Sequence, residues 1–196
     1  MESFLLSVMA YDCYLAICHP LIYATAMSKQ NRLYFALACW VIAPVLCAIC
    51  VICLAGQTYC GPNRINHFIC ELPVVMKLAC SDTHIVKLVN LAIGALGILV
   101  PLSVILTTYG CILYSVSHMK SNVGLHKAFS TCGYHLIVVV LFYGTIICMY
   151  MIPKSASSLD HDKQIAVFYV VVTPLLNPII YTLRNKSIHR AASKIL

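Results

Sequence analysis

Met9-Ala10-Tyr11-Asp12-Cys13-Tyr14-Leu15-Ala16-Ile17-Cys18-His19-Pro20 is the stretch whose reading decides the fold. An apolar run from Phe4 to Ala10 leads into one acid flanked by two tyrosines, and an apolar turn then ends at a proline. Around it the 196-residue chain is 61% hydrophobic and 10% charged, against roughly 45–50% and about 25% in soluble domains. Charge that sparse cannot cover the apolar surface, so lipid is the expected solvent. The net charge of +7 is carried by dispersed Lys and Arg residues. They form no basic cluster with interleaved aromatics, which argues against nucleic acid as a partner.

A helix needs about 20 apolar residues to cross a bilayer core. Four stretches qualify: Leu33–Ala55, Leu88–Val116, Ala128–Ile152 and Gln164–Leu183. The apolar part of Met1–Ala10 is too short to span and reads as the stump of a further helix; it lacks the basic start and small-residue cleavage site of a signal peptide. With both chain ends inside, the inner segments hold Lys29, Arg32, Lys120, Lys127, Arg184, Lys186, Arg190 and Lys194, and the outer ones only Arg64, Lys77, Lys87, Lys154 and Lys163. That asymmetry fits the positive-inside rule. Residues 185–196 place Ile188, Ala191, Ala192 and Ile195 at helical spacing among Lys and Arg, as in a short amphipathic helix on the inner leaflet. Asn185-Lys186-Ser187 is a glycosylation sequon that this orientation keeps inside and unmodified.

Most cysteines, Cys39, Cys47, Cys50, Cys53, Cys111, Cys132 and Cys148, lie within apolar runs as small hydrophobes. Cys47-x-x-Cys50-x-x-Cys53 mimics a metal spacing, but mid-span, with no histidine or acid nearby, it reads as packing. Cys60, Cys70 and Cys80 share one polar loop. Thr173-Pro174-Leu175-Leu176-Asn177-Pro178-Ile179-Ile180-Tyr181 sets an Asn-Pro pair inside an uncharged span, where proline loosens the helix and asparagine offers donor and acceptor groups. A third motif runs Lys127-Ala128-Phe129-Ser130-Thr131-Cys132, then His135-Leu136, then Leu141-Phe142-Tyr143-Gly144-Thr145. No spanning segment holds two carboxylates, and there is no phosphate-binding glycine loop and no nucleophile elbow, so the chain does not read as an enzyme and calls for no cofactor.

These motifs together resemble the odorant (olfactory) receptor family of rhodopsin-like, class A G-protein-coupled receptors. The opening stretch is similar to the family's Met-Ala-Tyr-Asp-Arg-Tyr signature at the inner end of the third helix, with Cys13 where the family has arginine. The Asn-Pro-x-x-Tyr run resembles the seventh-helix switch, and the Lys127 motif the sixth helix. The resemblance implies an all-α membrane protein, a partial seven-transmembrane receptor bundle. Its parts would be the end of helix 3 (1–17), helix 4 (33–55), extracellular loop 2 (56–87), helix 5 (88–116), helix 6 (128–152), helix 7 (164–183) and the amphipathic tail (185–196).

The same resemblance implies roles. Asp12, Cys13, Tyr14, Tyr109, Lys127, Asn177, Pro178 and Tyr181 would form the activation switch and G-protein contact. Gly97, Val100 and Leu106 on the fifth helix, with Tyr143, Thr145 and Ile146 on the sixth, would line the cavity for a small volatile ligand. Cys60 would pair with Cys80, and Cys70 with a third-helix cysteine that would precede Met1. His67, Cys70 and Glu71 are read in the family as a metal site, for which copper or zinc would suit; a metal is not part of the main reading. The partners implied are the membrane, a volatile ligand, a heterotrimeric stimulatory G protein and a possible receptor dimer, at the plasma membrane as a multi-pass protein. Two other readings stand beside the working receptor. One is a truncated, non-signalling remnant retained in the endoplasmic reticulum, or an interfering partner of intact receptors. The other, from a different class, is a small transporter or channel subunit, to which the near absence of intramembrane charge is opposed.

Overall fold

The structure, a computed structural model, describes residues 1–61, 64–65, 72–118, 122–150 and Leu175; of 73, 122–131 and 149–150 the backbone alone is described. Among these residues the chain forms six helices and no strand: α1 (Glu2–Cys18), α2 (Pro20–Ala26), α3 (Lys29–Ala55), α4 (Leu72–Met76), α5 (His84–Ser117) and α6 (Asn122–Tyr150). The protein is all-α. Apart from Leu175, the span foreseen at 164–183 and the tail at 185–196 lie outside the described residues.

Local chemistry sets the helix ends. The residue before a proline is barred from helical geometry, so α1 stops at Cys18 and His19 swings out to φ −134°, ψ 57°. Pro20 then occupies the first turn of α2, where its missing N–H costs nothing. Ser28 caps α3, its Oγ accepting the Asn31 backbone N–H at 3.3 Å. This cap starts the helix at Lys29 rather than at Leu33. At ~1.5 Å per residue α3 and α5 are about 40 and 51 Å long, more than a bilayer core of about 30 Å. Both are apolar enough to cross it. Pro44 and Pro101 lie inside them, each removing one rung of the backbone ladder. In α6 the apolar stretch within the described residues is Cys132–Cys148.

The chain divides into two compact units, Met1–Ile65 with Cys70–Ala128, and Asn66–Ile69 with Phe129–Leu196. The first is built on the packing of α1 against α5. On α1 the buried residues Ser3, Leu6, Ala10 and Cys13 recur at helical spacing. On α5 Pro101, Ile105, Thr108, Tyr109, Ile112 and Val116 do the same. Each set is one stripe of a helix, as a seam between two helices requires. The last turn of α1 meets α5 beside Cys111, whose carbonyl oxygen lies 3.9 Å from Cys18 Sγ.

α3 touches α5 and α1 only lightly, and Cys39 is its one buried residue. Trp40, Val41 and Ile52 stand out from it, each more than half exposed. A helix that is apolar all round and still uncovered has lipid as its solvent. Within the second unit, Cys132, His135, Val138, Val139, Phe142 and Tyr143 form the buried stripe of α6.

The far ends of α3 and α5 are clasped. Cys60 and Cys80 form a disulfide across a Cα–Cα distance of 6.0 Å. Tyr59 and Ala79 make an isolated antiparallel bridge beside it, with Cys60 N–H donating to Leu78 O at 3.3 Å and Cys80 N–H to Thr58 O at 2.9 Å. Ser81 Oγ ties in both Thr58 N–H, at 3.2 Å, and Gln57 Oε1, at 2.7 Å. Gly61, at φ 89°, supplies the left-handed residue on which the chain leaves the clasp.

Candidate functional site

The opening motif forms the inner part of the α1–α5 seam and the corner after it. Helical spacing sends its residues to different sides. Cys13 points into the seam and is 4% exposed, and Tyr109 on α5 is buried on the facing stripe. Asp12 and Tyr14 are half-buried on other faces. The Asp12 carboxylate accepts the hydroxyl of Tyr23, on α2, at 3.0 Å. Desolvation by burial, then this hydrogen bond and the charge of Asp12, raise the Tyr23 pKa above its ordinary value, with Arg32 acting in the opposite sense. The Tyr14 hydroxyl and His19 Nε2 share a hydrogen bond of 2.9 Å, with the two rings edge to face. Tyr11 stacks near Tyr14 and meets Phe35 of α3 edge-on, which joins α1 to α3.

α2 therefore sits at the end of the seam, and none of its own residues is buried. Leu21 is 96% exposed and Ile22 53%. Asn31 holds the far end of the helix: its Nδ2 donates to Thr25 O at 3.3 Å and to Ala26 O at 3.0 Å.

This motif, seam and corner occur in a chain whose residues 1–196 match the olfactory receptor family along their whole length. The chain belongs to the olfactory receptor family. It is 44% identical to human olfactory receptor 8U3 over 195 residues, 100% of this chain and 60% of that protein. Human olfactory receptor 2T8 is 45% identical over 195 residues, 100% of this chain and 62% of its own length. Rat olfactory receptor 1f45 is 44% identical over 196 residues, 100% of this chain and 63% of its own. The chain thus spans about three fifths of the length of these relatives. Its family is one of seven-transmembrane, all-α G-protein-coupled receptors and not a class of enzymes.

The other residues that the family resemblance singles out fall as follows in this olfactory receptor chain. Gly97 lies one turn along α5 from Pro101 on the same side of the helix, half-buried, with open space where a Cβ would stand. Val100 is 49% exposed and Leu106 64%, and neither is on the stripe that meets α1. Tyr143 is buried on α6, while Thr145 and Ile146 are half-buried. The Thr145 hydroxyl donates back to the carbonyls of Leu141 and Phe142 at 2.9 and 2.8 Å, so its proton is committed to its own helix. Lys127 is on α6, with its side chain outside the described residues. Asn177, Pro178 and Tyr181, and the possible metal set His67, Cys70 and Glu71, also lie outside them. Among the described residues no group of three metal-ligating side chains comes together, Cys47, Cys50 and Cys53 included.

The sequence reading missed α2 and its two ties. Signals for them existed: Pro20 at a helix start after a break, and Ser28-x-x-Asn31 at the next one. The pairing of Tyr23 with Asp12 left no local trace, because it joins two helices across a turn.

Proposed function

We propose that this olfactory receptor chain takes part in detecting a small, largely apolar volatile ligand and in relaying its binding to a heterotrimeric G protein of the stimulatory class. The relay runs along the α1–α5 seam. At its inner end Asp12 and Tyr23 fix the corner helix α2, whose exposed Leu21 offers an apolar side chain to a cytoplasmic partner. A partner that covers this side chain removes its apolar surface from water, which favours binding. Ligand contact on the outer half of α5 would bias two arrangements of the seam, and the G protein would select one of them. The open space beside Gly97 on α5 is compatible with a ligand there.

The position of Cys13 carries a second reading, a chain that binds without coupling. Arginine holds a permanent charge and five donors, whereas Cys13 is a small side chain closed into the seam. One experiment separates the two. Cells displaying equal surface amounts of the chain and of its Cys13→Arg variant are challenged with an odorant panel, and cyclic AMP is read. A ligand-dependent rise in both supports the coupling receptor. A rise in Cys13→Arg alone supports the non-coupling reading, and no rise in either at equal display overturns the receptor reading.

A further inference from the structure

We infer that Asn31 is a positioning residue for the partner contact, holding α2 so that Leu21 is presented outward; this rests on the G-protein reading above. An isolated helix shorter than about 12 residues is not stable in water. α2 has seven residues and buries none of them. It carries Leu21 and Ile22 into solvent, which gives nothing back to the fold. What holds it must therefore come from its ties to the neighbouring helices.

One tie is the Tyr23–Asp12 bond, from the middle of α2 to α1. The other is Asn31 in the first turn of α3. Its side-chain amide spans two carbonyls of the last turn of α2, Thr25 O and Ala26 O. Its backbone N–H is meanwhile fixed by the Ser28 cap. The side chain is thus aimed by the long, stable helix α3 at the short, unstable one. Ser28 N–H adds a bond of 3.4 Å to Thr25 O, and Met27 N–H one of 2.8 Å to Tyr23 O. Met27 itself is buried, 4% exposed, and pins the hinge between the two helices. Asparagine suits this place because it brings two donors on a short arm. Aspartate has the same shape and no donor.

The test uses the whole chain in lipid nanodiscs, with Asn31→Asp, Leu21→Ala and the double variant. Backbone hydrogen exchange reads the clasp, and capture of nucleotide-free stimulatory heterotrimer reads the contact. In Asn31→Asp the amides of Tyr23 to Met27 should exchange about tenfold faster, the factor for losing hydrogen bonds of ordinary net strength, while the interiors of α3 and α5 stay protected. Leu21→Ala should leave exchange as in the parent. Both single variants should weaken capture, and the double variant should be no weaker than the worse single, because both changes remove one contact. Unchanged exchange in Asn31→Asp overturns the clasp. Losses that multiply in the double variant overturn the positioning role, since a merely destabilising Asn31 would act independently of Leu21. A parent chain that captures no heterotrimer overturns the coupling reading and the positioning role with it, and the exchange measurement still decides the clasp.

Discussion

Replacing Cys60 and Cys80 together by serine removes the covalent tie between the far ends of α3 and α5. The two residues are 20 apart in sequence. For a loop of that length, closure removes about 11 cal/mol/K from the denatured chain, which is about 3.3 kcal/mol at 25 °C. That figure applies to a chain free to explore three dimensions. In a bilayer the denatured state keeps α3 and α5 inserted, so the loop ends are already confined and the effect is smaller. The bridge and the Ser81–Gln57–Thr58 bonds hold the same loop without the disulfide, so the fold should survive the change. The assay is reversible denaturant unfolding, followed by labelling of the buried Cys39 and Cys132 thiols. It is run once in detergent micelles and once in nanodiscs. The variant should lose about 3 kcal/mol in micelles and less in lipid. A loss below about 0.5 kcal/mol in micelles, or a larger loss in lipid than in micelles, would refute the loop-closure reasoning.

Three further predictions follow from single observations. Tyr23→Phe deletes a half-exposed hydrogen bond to a carboxylate and should cost about 1 kcal/mol of α2 docking; in a double-mutant cycle with Asp12→Ala, which removes the acceptor, the combined loss should equal the single one, and full additivity would show that the bond does not form. Because the folded Tyr23 pKa is raised, its contribution should be fully present below about pH 10, the unfolded value, and disappear as pH rises through the folded value; exchange of α2 amides, compared with Tyr23→Phe after correction for the intrinsic pH dependence, should show the difference vanish there. Ile105→Ala opens a cavity at a seam position that is 2% exposed; in lipid, where transfer from water plays no part, the loss should be about 1–3 kcal/mol, below the range of about 2–5 for soluble cores, as read by thermal unfolding in nanodiscs against Leu106→Ala, a change on the exposed side of α5 that should cost under about 0.5 kcal/mol.

The sequence by itself determined the solvent, the secondary structure class and the family. Runs such as Leu33–Ala55 can satisfy their backbone in lipid only as helices. The opening motif, with the Asn177-Pro178 and Lys127 motifs, points to odorant receptors by its residues alone. Cys60 and Cys80 pair as the resemblance implies. Sidedness along the helices was not legible in the same way. α3 and α5 are apolar on every face, so hydropathy has no period that distinguishes a seam from a lipid surface. Only packing against α1 put Ile105, Thr108 and Ile112 inward and left Val100 and Leu106 out. The corner was also decided in three dimensions. Pro20 and Ser28 mark where helices begin, but the bonds that make α2 a defined element, Tyr23 to Asp12 and Asn31 to Thr25 and Ala26, cross between elements. Local pattern records what each segment prefers for itself, whereas the direction in which a side chain meets another helix is fixed only when both helices are in place.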